Sequence, residues 1–230
     1  MNIQNIQPER ISQVITAGIL TRGIQILLMI VILGLVLFLA AGSLRWIAAW
    51  VYLGINLLIV VINATLMLRT NPETVAERGQ AKVWQGWDKL VSGLFAIFQY
   101  LILPLVAGLD ARFHWSGENG IFWHGFGTAV FTASMAGNSW AMITNAYFST
   151  AARIQADRSQ QVCQTGPYKY IRHPGYTSII LQSLSTAIML GSLWAMIPAA
   201  AAGASIITRT ALENKMLKAE LAGYSVLLLH

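Results

Sequence analysis

The stretch that organises this chain is a polar loop between two apolar segments, and it reads Gln164-Thr165-Gly166-Pro167-Tyr168-Lys169-Tyr170-Ile171-Arg172-His173-Pro174-Gly175-Tyr176. Gly166-Pro167 ends any preceding helix, and each proline fixes its own φ. A proline also keeps the residue before it out of the helical region, so we expect His173 to be extended. Pro174 suits the first position of the next helix, where its missing N–H costs nothing. The sequence therefore predicts a rigid loop that leads directly into a helix.

The residue types in this loop fit two interpretations. In the first, a planar cation, an imidazole and several phenols are presented together to one small anionic or aromatic ligand. In the second, the loop is a basic segment beside a membrane, and its tyrosines lie among the lipid headgroups. Residue types alone favour neither interpretation.

The composition is that of a membrane protein. The chain has 230 residues, of which 56% are hydrophobic and only 10% are charged, whereas a soluble domain is about 25% charged. The net charge of +6 is explained by the basic residues that collect on cytoplasmic loops, so we expect no nucleic-acid partner. A single cysteine, Cys163, and four scattered histidines exclude an internal disulfide and predict no metal site.

Long apolar runs predict an all-α fold, a polytopic membrane helix bundle with about six membrane-crossing segments. Pro104 interrupts the third run. The last two runs are short and are joined by Gly191-Ser192, which predicts a C-terminal helical hairpin followed by a polar helix from Arg209 onward. The predicted segments are 24–41, 46–68, 90–109, 121–148, 176–190 and 193–208.

The distribution of charge predicts the topology. With the N-terminus inside and six crossings, all but two of the 15 Lys and Arg residues lie on the inner side, and Arg45 and Arg112 lie outside. Both termini are then cytoplasmic, and the polar loop and Arg209 emerge on the same side of the membrane. We expect one compact bundle, in which 1–148 forms the N-terminal spans and 149–230 forms the loop, the hairpin and the terminal amphipathic helix.

The residues from Gly166 to Tyr176 resemble the Gly-Pro-Tyr-x-x-x-Arg-His-Pro-x-Tyr signature of the isoprenylcysteine carboxyl methyltransferase family, which is related to the phospholipid N-methyltransferases. The family pattern continues with an Arg, an acidic pair and Gly-Tyr. Further segments resemble bacterial members, so the resemblance covers most of the chain from about Asn71 onward. The matching segments are Arg209, Glu213-Asn214, Gly223-Tyr224, Asn71-Pro72-Glu73, Glu77-Arg78-Gly79, Gly86-Trp87-Asp88 and Arg153-Ile154-Gln155-Ala156-Asp157-Arg158.

This resemblance implies an integral membrane enzyme of the bacterial inner membrane that uses S-adenosyl-L-methionine (SAM), releases S-adenosyl-L-homocysteine and needs no metal. Glu213 would accept a hydrogen bond from the SAM ammonium, and Arg172 and His173 would donate to its carboxylate or ribose. The adenine would lie against apolar and aromatic groups. The expected cofactor-site residues are Val162, Gly166, Tyr168, Arg172, His173, Pro174, Tyr176 and Glu213.

Methyl transfer mainly requires that the acceptor be aligned and water excluded. A carboxylate acceptor is already ionised at neutral pH, and Arg209 or Arg153 would orient it. An amine acceptor needs a base, which Glu213 or a water would supply. We expect a lipophilic or lipid acceptor that enters sideways from the membrane lipids, while SAM enters from the cytoplasm. The sequence leaves the acceptor and the oligomeric state open.

A glycine-rich turn after a strand, the usual SAM site of soluble enzymes, is not seen in the sequence. Gly125-Phe126-Gly127 lies inside an apolar helix, and we interpret it as a helix-packing contact. Asn145 in the same segment is a candidate ligand contact, although an interhelical hydrogen bond is favoured for it.

Structural and non-catalytic interpretations stay open beside the enzyme hypothesis. Glu213 could form an i,i+4 ion pair with Arg209 worth only about 0.3–0.5 kcal/mol, and His173 could be an interfacial histidine without a ligand. Asn214 replaces a second acidic residue, Ser159 replaces a glycine, and a short apolar tail follows Tyr224. These departures keep open a degenerate SAM-binding protein or a membrane scaffold. An NADPH-dependent membrane reductase of the sterol-reductase type is a further alternative, but no extra basic cluster is available for a 2′-phosphate.

Overall fold

The computed structural model describes residues 8–70, 75, 86–117, 120–149, 151–155 and 160–221. This part of the chain is helical and contains no strand. Its elements in chain order are α1 Pro8–Ala41, α2 Ile47–Thr70, α3 Gly86–Ile97, a π-helical turn Phe98–Ile102, α4 Leu103–Phe113, α5 Ile121–Thr144, a 3-10 turn Gly166–Lys169, α6 Pro174–Met189 and α7 Met196–Glu220.

The first half of the chain supplies the clearest membrane spans. Three helical stretches are long and apolar enough to cross a bilayer, namely Thr16–Ala41, Ile47–Arg69 and Gly86–Phe113. Large apolar side chains cover their outer surface, and Leu39 is 73% exposed, as expected where lipid rather than water surrounds the protein. The all-helical fold is confirmed for the described residues, and three of its helical stretches are candidate membrane spans. The count of about six crossings, the cytoplasmic termini and the division at residue 148 stay predictions.

Pro104 does not end its helix. The chain runs from α3 through the π-helical turn into α4, and the Leu103 N–H donates to the Phe98 carbonyl, five residues earlier. A proline lacks the N–H that an α-helix needs at that position, and a π-turn is one way to absorb the irregularity. The predicted interruption is therefore a local widening within one continuous span.

The helices α5 and α6 approach each other closely at Gly127. A Cβ atom built on Gly127 would lie 2.4 Å from the Met189 backbone nitrogen, so only glycine fits there. The packing interpretation of Gly125-Phe126-Gly127 is confirmed for Gly127, whereas Gly125 faces an apolar groove between α2 and α5. His124 Nδ1 lies 2.8 Å from the Met189 carbonyl and adds a polar contact at the same crossing.

The predicted hairpin is present as α6 and α7, which pack against each other through a short turn around Gly191, where φ is +74°. Asp110, at the end of α4, is 3% exposed and accepts hydrogen bonds from the Ser116 N–H at 2.8 Å and from the hydroxyls of Ser116 and Ser192. This buried carboxylate is therefore satisfied, and it fixes the hairpin turn to α4.

Two predicted boundaries are wrong, because helices continue through them. The polar helix expected from Arg209 is the second half of α7, since no glycine or proline separates it from the preceding apolar run. The first span, predicted to begin at residue 24, is part of the continuous α1, which begins at Pro8. The predictions for Asn71-Pro72-Glu73, Glu77-Arg78-Gly79, Ala156-Asp157-Arg158, Ser159 and Gly223-Tyr224 with the following tail lie outside the described residues.

Candidate functional site

The polar loop is held against the C-terminal end of α5. Gly166 has a φ of +55°, and a Cβ atom there would lie 2.9 Å from Thr144 Oγ1, so glycine is required by both conformation and space. The Tyr168 hydroxyl donates to the Ala141 carbonyl at 3.4 Å. Pro167 is buried. These contacts fix where the loop begins.

The end of the loop follows the proline geometry expected from the sequence. α6 begins at Pro174. His173 has a φ of −123° and a ψ of 61°, outside the helical region as predicted, although ψ is short of the fully extended range. The His173 carbonyl accepts the Thr177 N–H at 3.0 Å. This backbone path directs the chain from the loop into α6.

The side chains at this junction contact α7. The His173 ring stacks on the Tyr176 ring with centroids 5.4 Å apart and planes 8° apart. His173 Nε2 lies 2.9 Å from Asn214 Oδ1, and the Tyr176 hydroxyl donates a short hydrogen bond to Glu213 Oε2. Residues 41 and 37 positions apart in sequence are thus joined directly, and Asn214, where an acidic residue was expected, retains a polar role.

Arg209 lies one turn before Glu213 on α7 and is 8% exposed. Its Nε donates to Asp88 Oδ1 at 2.8 Å, and its guanidinium carbon lies 5.4 Å from the centre of the Tyr176 ring. Burial opposes the charge, but Tyr176 and the carboxylates of Asp88 and Glu213 outweigh it and raise the pKa of Arg209. Arg209 forms a salt bridge with Asp88 on α3. Glu213 also acts electrostatically on Arg209, and the i,i+4 ion pair between them considered from the sequence stays a prediction.

A cleft of about 120 Å³ opens where the loop, α6 and α7 meet. It lies among six of the residues predicted from the sequence, which come from three separate segments of the chain. These predicted cofactor-site residues are Val162, Tyr168, Arg172, His173, Tyr176 and Glu213, and Asn145, the further candidate ligand contact, also lines the cleft.

Four predicted site residues are not among the lining residues. Gly166 and Pro174 shape the backbone of the loop, and Arg209 lies behind Tyr176. Arg153 lies on the segment 151–155, next to the buried Ala152. The structure thus separates residues that face the cleft from residues that position them.

Other lining residues were not singled out from the sequence, and they include Phe148, Cys163, Gly175 and Leu217. Leu217 lies four residues after Glu213, so helical periodicity could have placed it on the same face. Phe148 follows the end of α5 in an irregular segment, where no sequence pattern predicts the direction of a side chain.

The cleft carries charges of both signs. Glu213 on α7 supplies a carboxylate, and Arg172 of the polar loop supplies a guanidinium. No ion pair joins Arg172 to a carboxylate of the described residues. Phe148, Val162 and Leu217 supply apolar surface. The cleft is smaller than the roughly 300 Å³ typical of small-molecule sites, so a nucleoside-sized ligand would also occupy its open mouth.

The fold and this cleft define a helical membrane protein with a polar site at one end of its bundle. Residues 127–219 match the family model of the isoprenylcysteine carboxyl methyltransferase (ICMT) family, which confirms the resemblance seen in the sequence. The matched range is similar to a methyltransferase family, and it includes most of the cleft and the α6–α7 hairpin except its last residue, Glu220. A comparison with curated proteins finds no match.

Proposed function

We propose that this protein transfers a methyl group from SAM to a lipophilic acceptor, with its active site at the cytoplasmic face of a bacterial inner membrane. The observation that carries the proposal is the cleft in which Arg172, His173 and Tyr176 meet Glu213 within the ICMT family domain. The distribution of basic residues supports the cytoplasmic orientation.

The residues at the cleft fit the chemical groups of SAM. Glu213 matches an ammonium group, since its Oε2 accepts the Tyr176 hydroxyl and its second oxygen is available to a cation. Arg172 matches a carboxylate. Phe148, Val162 and Tyr168 offer apolar and aromatic surface for a purine. When bound, SAM supplies an activated methyl group.

The chain's own residues would then orient the acceptor and exclude water. Tyr176 fixes the rotamer of Glu213 through its hydroxyl and packs against His173, so the site is arranged before a ligand arrives. Such preorganisation lowers the entropic barrier to an in-line reaction. The apolar residues at the back of the cleft, including Leu217 and Phe148, favour a dry site.

The acceptor carries either a carboxylate, as in methylation of the isoprenylcysteine type, or the amine of a lipid. A carboxylate acceptor requires a cation other than Arg172, and Arg209 or Arg153 would supply it, although neither residue lines the cleft. An amine requires a base, and Glu213 or a water would serve. In both cases the apolar part of the acceptor would enter between helices from the lipid.

Equilibrium binding to the detergent-purified protein tests this proposal. We expect saturable binding of tritium-labelled SAM, competition by S-adenosylhomocysteine, and no competition by NADPH. Vesicles of bacterial lipid that contain the protein would then be screened for transfer of the labelled methyl group into organic-soluble material. Absence of SAM binding, or displacement of SAM by NADPH, would reject the methyltransferase proposal.

A further inference from the structure

Asp88 is the most completely buried charged residue among those described, with 0% exposure. A buried carboxylate is strongly unfavourable unless it is paired and hydrogen-bonded. Here it accepts Arg209 Nε at 2.8 Å, the Ala152 N–H at 2.6 Å and the Ser92 hydroxyl at 3.1 Å. One carboxylate therefore ties three segments together: α3, α7 and the chain that leads into the polar loop.

Two of these contacts, those with Arg209 and Ala152, connect Asp88 to the cleft, although Asp88 itself does not line it. The Arg209 guanidinium packs on the Tyr176 ring, with its carbon 5.4 Å from the ring centre. The Tyr176 hydroxyl in turn donates a hydrogen bond to Glu213. Ala152 belongs to an apolar cluster with Leu217 and Val162, and both of these line the cleft. Asp88 thus supports two groups of residues that line the same cleft, one on α6 and α7 and one in the apolar cluster around Ala152.

We propose that Asp88 is a positioning residue: through Arg209 it holds Tyr176 and Glu213 in the geometry that binds the cationic end of SAM. This inference rests on the proposed function. Arg209 then positions Tyr176 and does not orient the methyl acceptor, because its guanidinium is already paired with the buried Asp88 carboxylate. Removal of the Asp88 charge takes away the carboxylate that holds the buried Arg209 guanidinium at 2.8 Å, so Arg209 is expected to shift relative to Tyr176.

A double-mutant cycle of SAM binding separates this role from a general loss of structure. Asp88→Asn and Arg209→Gln should each weaken SAM binding about tenfold or more, and the double variant should be no weaker than either single variant, because the two residues act as one unit. Ser92→Ala is the matched control, since it removes a bond to Asp88 that does not lead to Arg209; it should bind like the wild type. The double variant also removes both buried charges and so keeps the test usable if Asp88→Asn alone does not fold.

Hydrogen exchange of the ligand-free protein supplies a readout that does not depend on SAM. The Ala152 amide, which donates to Asp88, should exchange faster in Asp88→Asn but not in Ser92→Ala. Wild-type binding of SAM in Asp88→Asn, or losses in the two single variants that multiply in the double variant, would overturn the positioning role. Failure of the wild-type protein to bind SAM would instead reject the proposed function, and the positioning role with it.

Discussion

The two halves of this molecule are stabilised in different ways. The helices α1 and α2 are candidate membrane spans, and only 22% of the most apolar window of each helix is buried within the protein. The C-terminal unit α5–α7 contains a glycine contact, a buried ion pair with α3, and the hydrogen bonds around Tyr176. Lipid-facing surface tolerates many apolar side chains, whereas close packing and polar pairing specify individual residues. The comparison therefore predicts that function and sensitivity to mutation are concentrated in α5–α7.

The largest effect is expected at Glu213. Its replacement by Ala removes the carboxylate at the cleft and leaves the Tyr176 hydroxyl without its acceptor, so SAM binding should weaken about 100-fold. Glu220→Ala is the matched control, because Glu220 is an exposed carboxylate on the same helix. Isothermal titration with SAM checks both variants. Equal losses in the two variants would show that helix charge, rather than the cleft, controls binding.

A packing difference is expected between two glycines on α5. Gly127→Ala places a methyl group against the Met189 backbone, and we expect a loss of about 1–3 kcal/mol in the free energy of unfolding. Gly125→Ala meets no heavy atom within 4 Å and should be neutral or slightly stabilising. Thermal unfolding in detergent compares them. Similar melting temperatures for the two variants would contradict the close approach of α5 and α6.

Arg172 provides a test of the ligand-facing charge in the loop. Arg172→Ala should weaken SAM binding about tenfold, through loss of a hydrogen-bonded charge to the SAM carboxylate. Lys169→Ala, a nearby exposed cation that does not line the cleft, should change binding by less than about twofold. Binding measured for both variants at two salt concentrations would show whether the loss at Arg172 is specific. If Lys169→Ala weakens binding as much, the loop acts only through its net charge.

The smallest effect is expected on the lipid-facing surface of α2. Leu58 is 58% exposed, and its replacement by Ala should change stability by less than about 0.5 kcal/mol and leave SAM binding unchanged. Unfolding and binding measured on the same preparation test both statements. A loss of SAM binding in this variant would mean that α2 takes part in the site. It would contradict the statement that function is concentrated in α5–α7.

Much of the site could be predicted from sequence because it depends on local rules. Pro174 sets the start of α6 and restricts the backbone of His173. Tyr176 lies near the beginning of the first hairpin helix and Glu213 near the end of the second, so an antiparallel hairpin places both residues at the same end. Asp88 could not be assigned its role, because its contact with Arg209 spans 121 positions and depends on how α3 packs against α7. The π-turn at Phe98–Ile102 and the continuous α7 were also missed, since tertiary packing determines how a helix passes a proline or a change in polarity.

Locating bound SAM on the protein is the most direct test of the proposal that the cleft between the polar loop, α6 and α7 is the cofactor site. Tritium-labelled SAM would be crosslinked to the purified protein by ultraviolet light, and the labelled peptides would be identified after proteolysis. We expect label on peptides from 160–177 and 209–221, and this label should be removed by excess S-adenosylhomocysteine and be absent in Glu213→Ala. Label on α1 or α2, or label that S-adenosylhomocysteine does not remove, would contradict it.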